Sequence, residues 1–461
     1  MREDSLNKAD FKESTSFFFD SKIRTLKPKE LVVLTGVVVL MITAMILMNM
    51  YHPSFEALHL KRMGSPLGRA LIYSLIALLG FQIFFLTYLA YLYFKYRPIR
   101  SVSDAELPVI TVIVPAYNEG KLVYQTLLSI ANSDYPEDKL EIMAIDDGSN
   151  DDTWFWIDKA NRDMNRRFII YKQPKNKGKR HALHRGFTHG RGEVFISIDS
   201  DSIIEKDTLR NMVSPFVVDE DCGAVAGNVK VLNKGKGMIP KMLNVSFTFS
   251  FEFIRSAQSS LGFVLCTPGA LSAYRREAVL NCLDEWINQK FMGQNATIGE
   301  DRAMTNMILK QAYTVKYQNN AHVLTNTPVC FKTLHKMFTR WGRSNVRETW
   351  MMNKFIFKNF RKEHKFGARL VFINQCLKLF VALPMLALMI GFLISNPILY
   401  ICSVIVGAFL FSSIQVLFFS KKYNWQEALW AYPYSLFYLF ALFWIFPFSI
   451  VTVKNGGWLT R

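Results

Sequence analysis

Cysteine is scarce and shows no pairing pattern: there are six in 461 residues, at 222, 266, 282, 330, 376 and 402, with no CxxC among them. That leaves neither a disulfide framework nor a structural zinc site, and a reducing compartment is the simplest home for the soluble part. Acidic residues are also in short supply, 37 Asp and Glu against 55 Lys and Arg, which leaves a net charge of +18. No internal repeat or low-complexity linker interrupts the chain. With half of its residues hydrophobic and 14% aromatic, it can bury enough apolar surface to exclude disorder except at the ends. A cleavable signal peptide is missing too, because thirty mostly polar residues precede a first apolar run too long for an h-region.

The long apolar runs sit at the two ends. Leu31 to Met50 and Ala70 to Phe94 carry no charge and are each long enough to cross a bilayer as a helix. Leu379 to Asn396, Pro397 to Ser420 and Ala428 to Val453 repeat the pattern after Lys378. This predicts a polar tail over 1–30, two transmembrane helices over 31–94 and about three more over 366–461. Lys22, Arg24, Lys27 and Lys29 precede the first run, and Lys95, Arg97 and Arg100 follow the second. The bias places these flanks and the central region in the cytoplasm, with the lipid of a plasma (inner) membrane as partner and the C-terminus outside. The spans hold almost no ionisable residues, which argues against an ion channel or transporter.

From Ile110 the pattern changes. Short apolar runs (ITVIVP, EIMAID, FIIY, VFISID) alternate with helix-like stretches, the signature of an α/β unit with a mainly parallel sheet over 95–332. A basic amphipathic segment over 333–365 is expected to lie along the membrane interface. The positive charge is concentrated: ten Lys and Arg against one acidic residue from Arg162 to Arg191, and ten against two from Lys332 to Lys365. Two blocks suit a polyanionic ligand or an anionic membrane face, whereas a diffuse excess would suit nucleic acid.

Two acidic clusters close predicted strands: Asp146-Asp147-Gly148 after EIMAI, and Asp199-Ser200-Asp201 after VFISI. Taken singly, each is ordinary turn chemistry. In an open parallel sheet, however, ligands collect beyond the carboxyl ends of strands, so these carboxylates should converge. A third cluster, Gly299-Glu300-Asp301-Arg302, opens a helical pattern. An Asp-x-Asp can hold a hard divalent cation and leave positions open for diphosphate oxygens. Between the first two clusters, Asn176-Lys177-Gly178-Lys179-Arg180 offers a glycine turn, cations and helix N-terminal amides to phosphate; it lacks the Walker A spacing. His181 and His184 have no third ligand nearby in sequence and read as surface or packing residues.

In order, Pro115-Ala116-Tyr117-Asn118-Glu119, Asp146-Asp147-Gly148-Ser149, Asn176 to Arg180, Asp199-Ser200-Asp201, Gly299 to Arg302 and Arg340-Trp341 resemble the processive family-2 glycosyltransferases that include cellulose, chitin and hyaluronan synthases. Phe291-x-Gly293, Thr297, Thr305-Asn306, Arg343-Ser344 and Arg347-Glu348 look closest to hyaluronan synthases and rhizobial chitin-oligosaccharide synthases. The resemblance implies a GT-A-like α/β nucleotide-sugar-binding cytosolic domain flanked by N- and C-terminal transmembrane helices. It implies that Tyr117, Glu119 and Asp147 line a uridine pocket supported by Asp146, that Lys179 and Arg180 reach the nucleotide, and that Asp199 and Asp201 hold Mn²⁺ or Mg²⁺. Asp301 would be the base, with Glu300 beside it. Cys266 and Gly269, in Cys266-Thr267-Pro268-Gly269, would belong to the loop that carries the acceptor sugar. Arg340 and Trp341 would end a QxxRW motif. The Gln position here is Met337, and a thioether cannot donate an amide's hydrogen bonds, so one clamp contact is expected to be missing and the product to be shorter.

The expected activity is metal-dependent, inverting transfer from a UDP-sugar, UDP-N-acetylglucosamine foremost, onto a growing β-glycan acceptor that passes between the membrane helices. Two alternatives are a single-transfer enzyme acting on a lipid carrier and a catalytically inactive nucleotide- or glycan-binding scaffold of a secretion complex. The intact carboxylates count against the scaffold, and no export partner can be named from the sequence.

Overall fold

The computed structural model describes residues 63–455 continuously, with isolated helical positions between 35 and 60. The expected tail over 1–30, most of the first expected span over 31–50, and residues 456–461 lie outside the described residues. The first continuous helix, α1 (Pro66–Lys95), begins at a Ser65 cap whose hydroxyl accepts from the Gly68 amide, with Pro66 pre-set for the first turn.

An eight-stranded sheet follows, in the order β3-β2-β1-β4-β7-β6-β10-β5. Its strands are β1 (Ile110–Ala116), β2 (Leu140–Asp146), β3 (Ile169–Lys172), β4 (Val194–Ile198), β5 (Ser202–Ile204), β6 (Cys222–Val231), β7 (Leu271–Arg275) and β10 (Thr314–Thr325). The short β8 (Lys290–Phe291) and β9 (Gln294–Asn295) form a separate hairpin. β1 runs parallel to β2 and β4, while β7 lies antiparallel between β4 and β6. All seven residues of β1 are buried, as a strand covered on both faces requires, and its run of Ile and Val suits that position. The connecting helices are α2 (Leu122–Ala131), α3 (Thr153–Asp163), α4 (Lys179–His189) and α5 (Thr208–Val218). They bury apolar stripes such as Val123, Leu127 and Ile130 against the sheet.

Beyond β6, α6 (Met238–Thr248) runs on through a π-helical stretch, Phe249–Arg255, to Ser259. At its centre the buried Glu252 accepts hydrogen bonds from Lys230 of β6, from the Tyr423 hydroxyl and from Lys422 at 2.9 Å. Burial opposes its charge, but the two lysines outweigh this and bring the Glu252 pKa down to about 2. α7 (Glu300–Lys310) precedes β10, and the long α8 (Phe331–Ile356) packs against α7 and the C-terminal helices. α8 stops short of residue 365, where His364 turns left-handed (φ 52°) ahead of α9 (Lys365–Ser395). α10 (Pro397–Lys422) and a helical run over Trp425–Val451 complete the chain. Together with α1 and α9 they make four helices long and apolar enough to cross a membrane among the described residues.

Candidate active site

The ends of β1, β2 and β4 bring the first motifs together. The Glu119 amide donates to Thr153 Oγ1 at 2.8 Å, and its carboxylate accepts from Ser200 Oγ at 3.1 Å. Tyr117 is partly exposed at the same edge. Asp146 is fully buried; its Oδ1 accepts from the Ser149 amide (2.9 Å) and hydroxyl (2.5 Å), whereas its Oδ2 is buried without a hydrogen-bond partner. Such an orphaned acceptor is costly unless a ligand N–H meets it. Asp147 is engaged locally instead. It accepts from Gln173 Nε2 (3.0 Å) and from the Lys177 (3.0 Å) and Gly178 (2.7 Å) amides, which fastens the Asn176-Lys177-Gly178 loop at the start of α4.

Lys179, the first residue of α4, projects its ammonium into the acidic centre. Nζ is hydrogen-bonded to Asp199 and lies 3.4 Å from Glu300 Oε1. Burial opposes its charge, but Asp199 and Glu300 outweigh this and hold its pKa above the ordinary lysine value. A Cβ on Gly269 would lie 2.6 Å from Nζ, so a side chain there would push the flexible lysine end aside. Asp301, at the N-terminus of α7, accepts at Oδ2 from the Gly269 amide (3.2 Å) and at Oδ1 from the Arg302 amide (2.7 Å). The Cys266 thiol lies 3.7 Å from the same Oδ2. Burial, and then the Asp301 charge, push the Cys266 pKa up, so it stays a thiol and is no thiolate nucleophile.

Burial, and then the neighbouring Glu300 charge, push the Asp301 carboxyl above its ordinary value, with Lys179 pulling the other way. If Asp301 is the base, it must be ionised to act, and activity should fall as pH drops through this raised value. The acid limb of a kcat/KM profile is expected clearly above the ordinary aspartate pKa of about 3.9. A limb at or below that value would contradict the placement.

Asp199 and Asp201 flank Ser200 at the end of β4, and Asp201 Oδ1 accepts from Ser202 Oγ at 3.3 Å and Thr325 Oγ1 at 3.5 Å. Among the described residues no group of three or more His, Cys, Asp and Glu gathers in metal-binding geometry. Two carboxylates at an open strand end fit a hard cation that completes its shell with phosphate oxygens and water, rather than one caged by protein.

Arg180 requires a correction. It was expected at the nucleotide, but the next position round α4 turns it inward, where it is 3% exposed. Its guanidinium stacks over the Trp286 ring at 5.0 Å and donates to Trp286 O (2.5 Å) and Gln289 Oε1 (3.2 Å). From there a buried network reaches the backbone around the start of α7. Gln289 Nε2 donates to Glu348 at 3.1 Å, Glu348 pairs with Arg347 at 2.8 Å, and Arg347 donates to the Ile298 carbonyl. Trp286 Nε1 also donates to the Glu300 carbonyl at 2.9 Å. Trp286 and Gln289 carry no motif that would single them out in the sequence.

Arg340 and Trp341 occupy the middle of α8, where Trp341 is 43% exposed and packs against Phe338 and Phe247 with ring centroids 5.7 and 6.0 Å away. Met337 is buried in the apolar core, so its thioether fills space there.

Near Asp301 two arginines come together, one of them outside the motifs. Arg255 donates from Nε to the Cys266 carbonyl at 3.4 Å, and Arg302 donates to Thr349 Oγ1 at 3.5 Å. Arg255 Nη1 and Arg302 Nε are nevertheless buried without partners, and the two guanidiniums repel each other. Lys378 of α9 is a further cation, and it is exposed. It is the only charged residue between Arg369 and Lys421.

Comparison with known proteins gives the family. The family described as Glycosyl transferase family 2 matches residues 111–282. A hyaluronan synthase from Streptococcus pyogenes is 30% identical over 362 residues, covering 76% of this chain and 83% of that protein. An N-acetylglucosaminyltransferase from Rhizobium meliloti is 33% identical over 251 residues, covering 54% of this chain and 58% of that one. Among solved structures, a mannosyltransferase from Pyrobaculum calidifontis in complex with GDP-Man and Mn²⁺ is 20% identical, with a TM-score of 0.48, and covers 75% of this chain and 98% of the other. With its apolar helices the protein is an integral membrane glycosyltransferase. The chain belongs to family 2 of the glycosyltransferases, in the group that includes hyaluronan synthases.

Proposed function

We propose that this protein polymerises a β-linked, hyaluronan-like glycan from UDP-N-acetylglucosamine and a second, carboxylate-bearing UDP-sugar, and passes the product across the membrane. The observation that carries the anionic product is the pair Arg255 and Arg302 beside Asp301 and Cys266, each with a buried N–H group that lacks a partner. Asp301 and Glu348 meet part of the charge of Arg255 and Arg302, and a carboxylate on the acceptor chain would meet the two buried N–H groups that remain. A neutral chitin-like chain offers none.

In the proposed reaction the UDP-sugar lies at the strand ends, with Tyr117 and Glu119 beside the nucleoside and the orphaned Asp146 Oδ2 available to a base N–H. The Asp301 carboxylate takes the proton of an acceptor hydroxyl as that oxygen attacks the anomeric carbon. The bond from that carbon to the diphosphate oxygen breaks, and UDP leaves with the electron pair. One displacement by one base inverts the anomeric centre. A divalent cation on Asp199 and Asp201 would supply charge neutralisation to the diphosphate. Lys179 and Arg340 serve the same growing charge. Lysine and arginine at the inner ends of the spans favour a cytoplasmic catalytic domain in a plasma or inner membrane, with the glycan leaving past Lys378.

A donor screen on the purified, lipid-reconstituted protein tests this reading, with UDP release and product size read for each UDP-sugar alone and in pairs. Long product is expected only when UDP-N-acetylglucosamine is paired with a UDP-uronate. Sustained polymer from UDP-N-acetylglucosamine alone would make the product chitin-like, and a single transferred sugar would make the enzyme non-processive.

A further inference from the structure

The acidic centre already holds a cation of its own. Lys179 Nζ is bonded to Asp199 and lies 3.4 Å from Glu300 Oε1, with Asp301 adjoining, and its side chain is 14% exposed. The fit is built from both sides. Asp147 fastens the Lys177 and Gly178 amides and so fixes where the Lys179 stem begins, while the ammonium end lies against Gly269, which has no Cβ to displace it. Asp199, at a third of full side-chain exposure, still faces the cleft.

We propose that in the donor-free enzyme Lys179 occupies the place on Asp199 that the divalent cation takes with the donor, so that cation and nucleotide diphosphate bind as a pair and the cation alone binds weakly. This rests on the reading of Asp199 and Asp201 as the cation's ligands. An ammonium and a divalent ion on one carboxylate repel strongly where water is largely excluded, so the two exclude each other until more negative charge arrives. The diphosphate brings that charge. The lysine's flexible stem lets Nζ transfer to a phosphate oxygen and release Asp199. No proton or covalent bond changes hands; the exchange is of one cation for another on the same oxygen.

Mn²⁺ titration followed by the electron paramagnetic resonance of the free ion tests this on the full-length protein in lipid nanodiscs, with and without saturating UDP. The wild type should bind Mn²⁺ weakly alone, and UDP should tighten it by between about 5- and 150-fold, the usual range for coupled sites. Reciprocity requires Mn²⁺ to tighten UDP by the same factor. Lys179→Met should bind Mn²⁺ without UDP at least about tenfold more tightly than the wild type, since the competing charge is gone, and the UDP enhancement should shrink to match. Lys179→Arg should behave as the wild type, and Asp199→Asn should bind weakly throughout. Equal donor-free affinity in the wild type and Lys179→Met overturns the proposal and leaves the metal ligands standing. A wild type that binds Mn²⁺ as tightly without UDP as with it overturns the proposal whatever the variants do. Failure of UDP to raise the wild type above Asp199→Asn removes the metal reading, and the proposal with it.

Discussion

Asp301→Asn will retain UDP and lose transfer. The two properties separate because they sit on different elements. The loop fastened by Asp147 and the ends of β1 and β2 form the proposed nucleotide side, whereas Asp301 opens α7 and faces Gly269 and Cys266. Asparagine keeps the shape of the side chain and can still accept the Gly269 amide, but it cannot take up the acceptor's proton. General-base catalysis contributes about 10²- to 10⁴-fold, and a loss in that range is expected in kcat. UDP affinity by calorimetry should change less than about threefold, which corresponds to well under 1.4 kcal/mol. Turnover above about a tenth of wild type would remove Asp301 from the base role, and an equal collapse of UDP binding would mean that its part is structural.

Gly299→Ala should cost nearly as much without touching a reacting atom. Gly299 has φ +67°, and a Cβ there would lie 1.8 Å from Ser344 Oγ and 2.5 Å from Ser344 Cβ. Alanine therefore meets both a disfavoured backbone conformation and a collision with α8, and the N-terminal turn of α7 must shift to relieve it. That turn carries Glu300 and Asp301. A displacement of about 1 Å at a catalytic group can cost about 10²-fold, so kcat should fall by that order while the protein still folds and binds UDP. Ser344→Gly in the Gly299→Ala background removes the collision but not the backbone strain, so it should recover part of the loss. A double-mutant cycle without coupling between the two positions would show that the contact does not set the position of the base.

Much of this arrangement was legible because local chemistry and global position agree. Aspartates and glycines that close buried β-branched runs mark strand ends, and strand ends of an open sheet converge, so Asp146, Asp147, Asp199 and Asp201 could be placed from the sequence. The direction of β7 could not: Leu271–Arg275 reads the same whether its neighbours run parallel or antiparallel. Arg180 followed the motif spacing, but its partners Trp286 and Gln289 come a hundred residues later, and only the fold brings them under α4. Met337 was legible as a departure from a motif. That it faces an apolar core depends on the helices packed around α8. The buried, unpartnered N–H groups of Arg255 and Arg302 could not be read from the sequence, because burial and a missing partner are properties of packing.

The contact between Gly299 and Ser344 also bears on how such enzymes can be recombined. Arg347 grips the Ile298 carbonyl, Glu348 grips Gln289 and Asn306, and Gly299 fits against Ser344 with no room to spare. The segment from Gln289 to Thr349 thus carries these three contacts within itself, while β10 inside it pairs with β6 and β5. A crossover placed inside it would join the α7 of one parent to the α8 of another and leave side chains cut for different partners. Crossovers placed before residue 289 and after residue 349 would carry the base together with its brace, and libraries of chimaeric synthases should be richest in active members when their junctions respect those two borders.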